Sequence, residues 1–158
     1  MSLNISPTQL VTYDVSGTTL EAASNNLGLP GGEDGRCEYN IWYEYDGVSA
    51  RGLAQNLVVN VTIDITMPRW LDRDAATEAE QREWDRFYAA LLAHEREHAS
   101  RIRAGARRVH DRLARTRATD LEARFQAGKQ TMQEESNAFD VAVDHGRRPP
   151  PGTIITIP

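Results

Sequence analysis

Residues 94 to 98 read His-Glu-Arg-Glu-His, two imidazoles four positions apart with a carboxylate beside the first. On a helix, residues at that spacing stack one turn apart on the same face, so both rings can reach one Zn²⁺ at about 2.0–2.1 Å. Glu95 projects about 100° round the helix from His94, outside that coordination set but within reach of a water that the ion activates. The spacing therefore assigns His94 and His98 as ligands and Glu95 as the general base, which takes a proton and can pass it to a leaving amine. The chemistry would be zinc-dependent hydrolysis of an amide bond in a peptide or protein substrate. Two of the four histidines are used in this motif. It also lies on an apolar helix stripe, where Glu95 and His98 would be costly to bury without a partner such as a metal.

A hydrolytic zinc site takes three protein ligands and leaves a position for water. If the chain turns back near Arg117, residues around 135 to 141 come opposite the motif, which offers Glu135, Asp140 and His145. His145, in Asp-His-Gly at a helix end, has the favoured ligand type. Its rival is Asp140, which alternatively serves as an acceptor that orients an imidazole. Glu135 falls on the apolar stripe but is equally suited to a solvated helix surface. His110 lies too far beyond His98 to join. Tyr88, Arg101 or a tyrosine of the 39–45 segment are candidates to stabilise an oxyanion.

The elements that must position these residues are legible in the periodicity. Tyr13 to Val15 reads as a short strand, followed by a capping box at Thr18-Thr19-Leu20-Glu21, with Gly28 placed to end that helix. Glycines 28, 31, 32 and 35 with Pro30 mark a loop. Tyr39, Ile41, Tyr43 and Tyr45 have strand spacing, and Leu57, Val59, Val61, Ile63, Ile65 and Met67 alternate with polar residues until Pro68, which is expected to stop the strand. If that strand is an edge beside the site, it could hold an extended peptide by strand addition. A second capping box at Thr77-Glu78-Ala79-Glu80 opens a long helix whose stripe is Trp84, Tyr88, Leu91, Glu95, His98, Ile102, Val109 and Leu113. A third, Thr119-Asp120-Leu121-Glu122, opens another carrying Leu121, Phe125, Met132 and Phe139. Gly146 and prolines 149 to 151 end that helix, and Thr153 to Ile157 offers a final edge strand.

These elements predict an α+β chain, one domain over residues 1–158. Residues 1–70 supply mainly strands and one short helix in a small antiparallel (mixed) sheet. The sheet packs on two long antiparallel C-terminal helices, the 77–145 hairpin that carries the metal site. A length of 158 residues suits one domain. The net charge of −5 and interleaved charges give no basic stripe for nucleic acid. No apolar run reaches the ~20 residues of a membrane-spanning helix, and the first residues lack a signal core. Cys37 is the only cysteine and cannot form an internal disulfide.

An ordered set of residues also resembles a bacterial family of predicted secreted zinc-dependent proteases, domain of unknown function 922. It comprises Tyr13-Asp14-Val15-Ser16-Gly17, Trp42-Tyr43, Ile65-Thr66-Met67-Pro68-Arg69-Trp70, Trp84 and Tyr88 ahead of His94-Glu95 and His98, Phe139-Asp140, and His145-Gly146. The resemblance implies a zincin-like metallopeptidase located in the periplasm or outside the cell. The paired cysteines expected near the central strand of such proteins have no counterpart beside Cys37. The competing reading is a non-catalytic protein-binding module with a structural or vestigial metal site.

Overall fold

The computed structural model describes residues 1–143, so His145, Gly146, the prolines at 149–151 and the 153–157 segment lie outside the described residues. The elements run β1 (Ser2–Ile5), β2 (Gln9–Val15), α1 (Leu20–Ser24), β3 (Arg36–Glu44), β4 (Gly47–Val48), β5 (Ala54–Gln55), β6 (Val58–Trp70), α2 (Glu78–Leu113) and α3 (Leu121–Ala142). Short 3-10 turns at Arg73–Ala75 and Ala118–Asp120 precede the two long helices. The architecture is α+β with a mixed sheet rather than an antiparallel one. β1 and β2 both pair in parallel with β6, which also pairs with β3.

The alternation in β6 does what its period requires. Val59, Val61, Ile63, Ile65 and Met67 are buried, whereas Asp64 is exposed and Asn60, Thr62 and Thr66 are half-buried. Each such aliphatic residue, removed from water, contributes about 1.5–3 kcal/mol. Pro68 does not end the strand, which continues to Trp70 with Pro68 itself buried and in register with Tyr13. A proline is tolerated in a ladder where its missing N–H is not needed as a donor. Because β6 pairs with three strands, it is not the edge that strand addition would use.

By its contacts the chain separates into two compact units whose boundaries fall inside elements. One comprises Met1–Thr8, Tyr39–Ile63 and His98–Phe139. Within it, β1 pairs from Ser2↔Val58 to Ile5↔Val61, and β4 and β5 form a small antiparallel hairpin. Its helical segments run in opposite senses: Gly105 lies against Met132, Val109 against Gly128, and Arg108 is paired with Glu135. Tyr43 sets its ring edge-on to Phe125, centroids 4.9 Å apart, and donates its hydroxyl hydrogen bond to Glu122 at 2.9 Å. Burial and that carboxylate push the Tyr43 phenol up to about 12.

The other unit comprises Gln9–Glu38, Asp64–Glu97 and the described residues from Asp140 on. β2 pairs with β6 from Gln9↔Asp64 to Val15↔Trp70. The Trp70 ring packs on Trp84 with centroids 5.2 Å apart, and Trp84 on Phe87 at 5.6 Å. The Trp70 indole donates to the Gly17 carbonyl at 2.5 Å, and Gly17 N–H donates to Asp72 at 2.8 Å. Gly17 is required there: its φ is +143°, and a Cβ would lie 2.6 Å from the Ala23 nitrogen. Gly35 lies flush against Leu91, whose side-chain atoms would meet an added Cβ at 3.1 Å.

The helix starts follow the expected caps only in part. Thr77 and Glu80 form the expected box, with Thr77 N–H donating to Glu80 at 2.9 Å and Glu80 N–H to the Thr77 hydroxyl at 3.3 Å. At α1 the cap is Thr19 rather than Thr18, accepting from Ala22 N–H at 3.2 Å, and the helix ends at Ser24, well before Gly28. The Thr119 box does not form, because residues 118–120 take a 3-10 turn and the Thr119 hydroxyl donates to Asp120 instead.

Candidate metal centre

The stripe of α2 places the motif as its spacing demands. Trp84, Leu91, Glu95, His98, Ile102, Val109 and Leu113 are all buried, and Tyr88 is half-buried. His94 and His98 occupy successive turns of one unbroken helix. His94 keeps 12% of its side chain exposed, and His98 is 7% exposed.

Asp140, three residues before the end of the described chain, supplies the third group. One ligand atom each from His94, His98 and Asp140 lies within 4.8 Å of the others, so the three could hold a metal ion. His94 Nε2 and Asp140 Oδ1 are 3.5 Å apart. That is longer than the ~2.9–3.0 Å usual for N–H···O hydrogen bonds. Two donors at about 2.05 Å from a tetrahedral ion are themselves about 3.3 Å apart. The separation therefore suits shared ligation at least as well as a direct bond, and the two-imidazole, one-carboxylate donor set fits a divalent transition metal.

His98 is fixed in two ways. Its Nδ1 lies 3.0 Å from the Ser136 hydroxyl, and its ring meets Phe139 edge-on with centroids 4.9 Å apart. The Arg101 guanidinium lies over that Phe139 ring at 4.3 Å. Ser136 was not anticipated from the sequence. The available signal was that Ser136 and Asp140 repeat the four-residue spacing of His94 and His98 on the facing stretch of a helical hairpin.

Glu95 is 4% exposed. Burial pushes its carboxyl up to about 8; Asp140 and Glu33 add to the rise, while a hydrogen bond from the Cys37 backbone and the charge of Arg36 oppose it. Bulk water alone cannot stabilise a carboxylate so enclosed, whereas a cation held by the neighbouring imidazoles would favour its ionised form. The start of β3 thus borders the candidate base, a contact invisible in the motif itself.

The other candidates are engaged elsewhere or not described. Glu135 is paired with Arg108, and His110 Nδ1 lies 3.0 Å from Asp111. His145 is outside the described residues. Among the described residues, no helix is long and apolar enough to cross a membrane.

No curated protein and no solved structure significantly matches the chain. The model of one family, described as "Bacterial protein of unknown function (DUF922)", matches residues 10–146, and the chain belongs to that family.

Proposed function

We propose that the protein is a zinc-dependent peptidase in which His94, His98 and Asp140 hold the metal and Glu95 is the general base. The observation that carries the reading is the convergence of three ligand atoms within 4.8 Å, with Glu95 buried on the helix that carries the two histidines. Zinc, when bound, would supply Lewis acidity that brings the pKa of a water towards neutrality and polarises a substrate carbonyl. The chain's own residues do the rest. Glu95, one residue from His94, takes a proton from the attacking water and returns it to the leaving amine. The Cys37 backbone N–H, donating to Glu95, keeps that carboxylate aimed while it carries no proton. Leu91, Ala99 and Ile102, within a few residues of the motif on α2, are buried with Glu95 and His98.

A zincin-like arrangement of motif helix and sheet, a peptide or protein substrate, and a location in the periplasm or outside the cell belong to the same proposal, supported by the ordered residues described above. The test is direct. Purified protein should carry about one equivalent of zinc by elemental analysis, and His98→Ala should lose it. Glu95→Gln should retain zinc and lose cleavage of a peptide library. Zinc bound tightly with no cleavage by the parent protein would favour a binding module with a structural metal. Parallel Asp140→Ala and His145→Ala variants identify the third ligand, since only its loss should lower zinc affinity as severely as loss of His94.

A further inference from the structure

We propose that Ser136 is a positioning residue of the metal centre, accepting a hydrogen bond from Nδ1–H of His98 and so leaving Nε2 as the ligand nitrogen of that ring. The inference rests on the reading of His94 and His98 as a metal-binding pair. An imidazole coordinates only through an unprotonated nitrogen, so whatever holds the proton on one nitrogen selects the other as ligand. The Ser136 hydroxyl lies 3.0 Å from His98 Nδ1, within ordinary hydrogen-bond range.

The surroundings fix the plane of the ring, and the serine contact selects which nitrogen faces α3. Phe139 meets it edge-on with an interplanar angle of 79°, and Arg101 covers the Phe139 ring. A ring turned over to exchange its nitrogens would break the serine contact, and the 7% exposure of His98 leaves little water to replace it. Ser136 and Asp140 stand one turn apart on α3. The helix turn that brings a hydroxyl to His98 Nδ1 therefore also brings a carboxylate to 3.5 Å from His94 Nε2. One turn of α3 thus reaches both imidazoles, His98 through the Ser136 hydroxyl and His94 through the Asp140 carboxylate.

The experiment reads the His98 ring directly by ¹⁵N NMR of metal-free protein at about pH 8, above the usual histidine range. The His98 signals are assigned by their loss in His98→Gln. Wild type should show the proton on Nδ1, Ser136→Ala should shift it towards Nε2, and Ser136→Thr, which keeps the hydroxyl, should restore it. Zinc affinity should fall about tenfold in Ser136→Ala and recover in Ser136→Thr, with unchanged circular dichroism confirming the fold. An unaltered His98 tautomer and zinc affinity in Ser136→Ala, with wild type still binding zinc, would overturn this proposal alone. A serine-dependent tautomer in a wild-type protein that binds no zinc would instead overturn the metal reading and the positioning role together.

Discussion

Gly128→Ala offers a sharp test of the packing that delivers α3 to the motif helix. In an open helix interior this substitution stabilises by about 1 kcal/mol, because alanine loses less backbone entropy. Here the added Cβ would stand 2.7 Å from Val109 Cγ2 and 3.6 Å from its Cβ and Cγ1. Carbon–carbon contacts are optimal at about 3.5–4.0 Å, so roughly 1 Å of displacement is required. Valine in a helix has essentially one χ1 rotamer, and Val109 is buried, so it cannot swing aside. Overpacking of this kind costs about 1–3 kcal/mol. Set against the propensity gain, the net effect should be a loss of about 0–2 kcal/mol, or up to about 8 °C in Tm for a chain of this size. Urea denaturation measures it. The same substitution in a Val109→Ala background should recover at least about 1 kcal/mol of coupling, because the obstructing methyl is gone. A Gly128→Ala protein more stable than wild type by the full helix-propensity gain would refute the reasoning, since the helices could then not approach as closely there as the contact requires.

Further outcomes follow from other parts of the molecule. Zinc at a hundredfold excess over its Kd should stabilise the protein by about 2.7 kcal/mol, a rise of about 5–11 °C in Tm; His94→Ala and His98→Ala should each abolish the shift in a thermal scan. Hydrogen bonds from Thr77 and from the Leu20 backbone hold the Glu80 carboxyl below its usual value. Its contribution is therefore present above the ordinary glutamate pKa and lost as pH falls through the depressed one. Denaturation curves should show Glu80→Gln less stable than wild type at neutral pH, the two converging in acid. Gly17→Ala meets both a φ of +143° and backbone atoms of α1 at 2.6–2.7 Å. It should cost about 2 kcal/mol or more by chemical denaturation, and a neutral result would contradict the described turn.

Legibility in the sequence followed the range of each interaction. The burial of β6 and α2 could be read because alternation and the helical stripe are local periodicities, and the His94–His98 pair because one turn of helix fixes it. Parallel pairing could not: nothing within Ser2–Ile5 says that Asn4 lies opposite Asn60, where the two side chains hydrogen-bond at 3.2 Å. The start of α1 is hidden for a similar reason: its cap is Thr19, and the glutamate that accepts from Leu20 N–H is Glu80, supplied by another element. Pro68 does not mark the end of β6, because a missing donor matters only where the ladder would use it. For the site, the ligand pair was in the motif, whereas Ser136 and the Cys37 backbone contact depend on how distant segments meet.

The Glu80 carboxylate has two clients. One oxygen accepts from Thr77 N–H at 2.9 Å to close the first turn of α2, and the other accepts from Leu20 N–H at 3.0 Å. A helix of five residues such as α1 cannot repay its own nucleation. It persists by borrowing an acceptor from a helix that already stands. The order of opening follows: the amides of α1 should exchange with solvent deuterium at least as fast as those opening α2, and any event that frays the start of the motif helix should release the small helix with it.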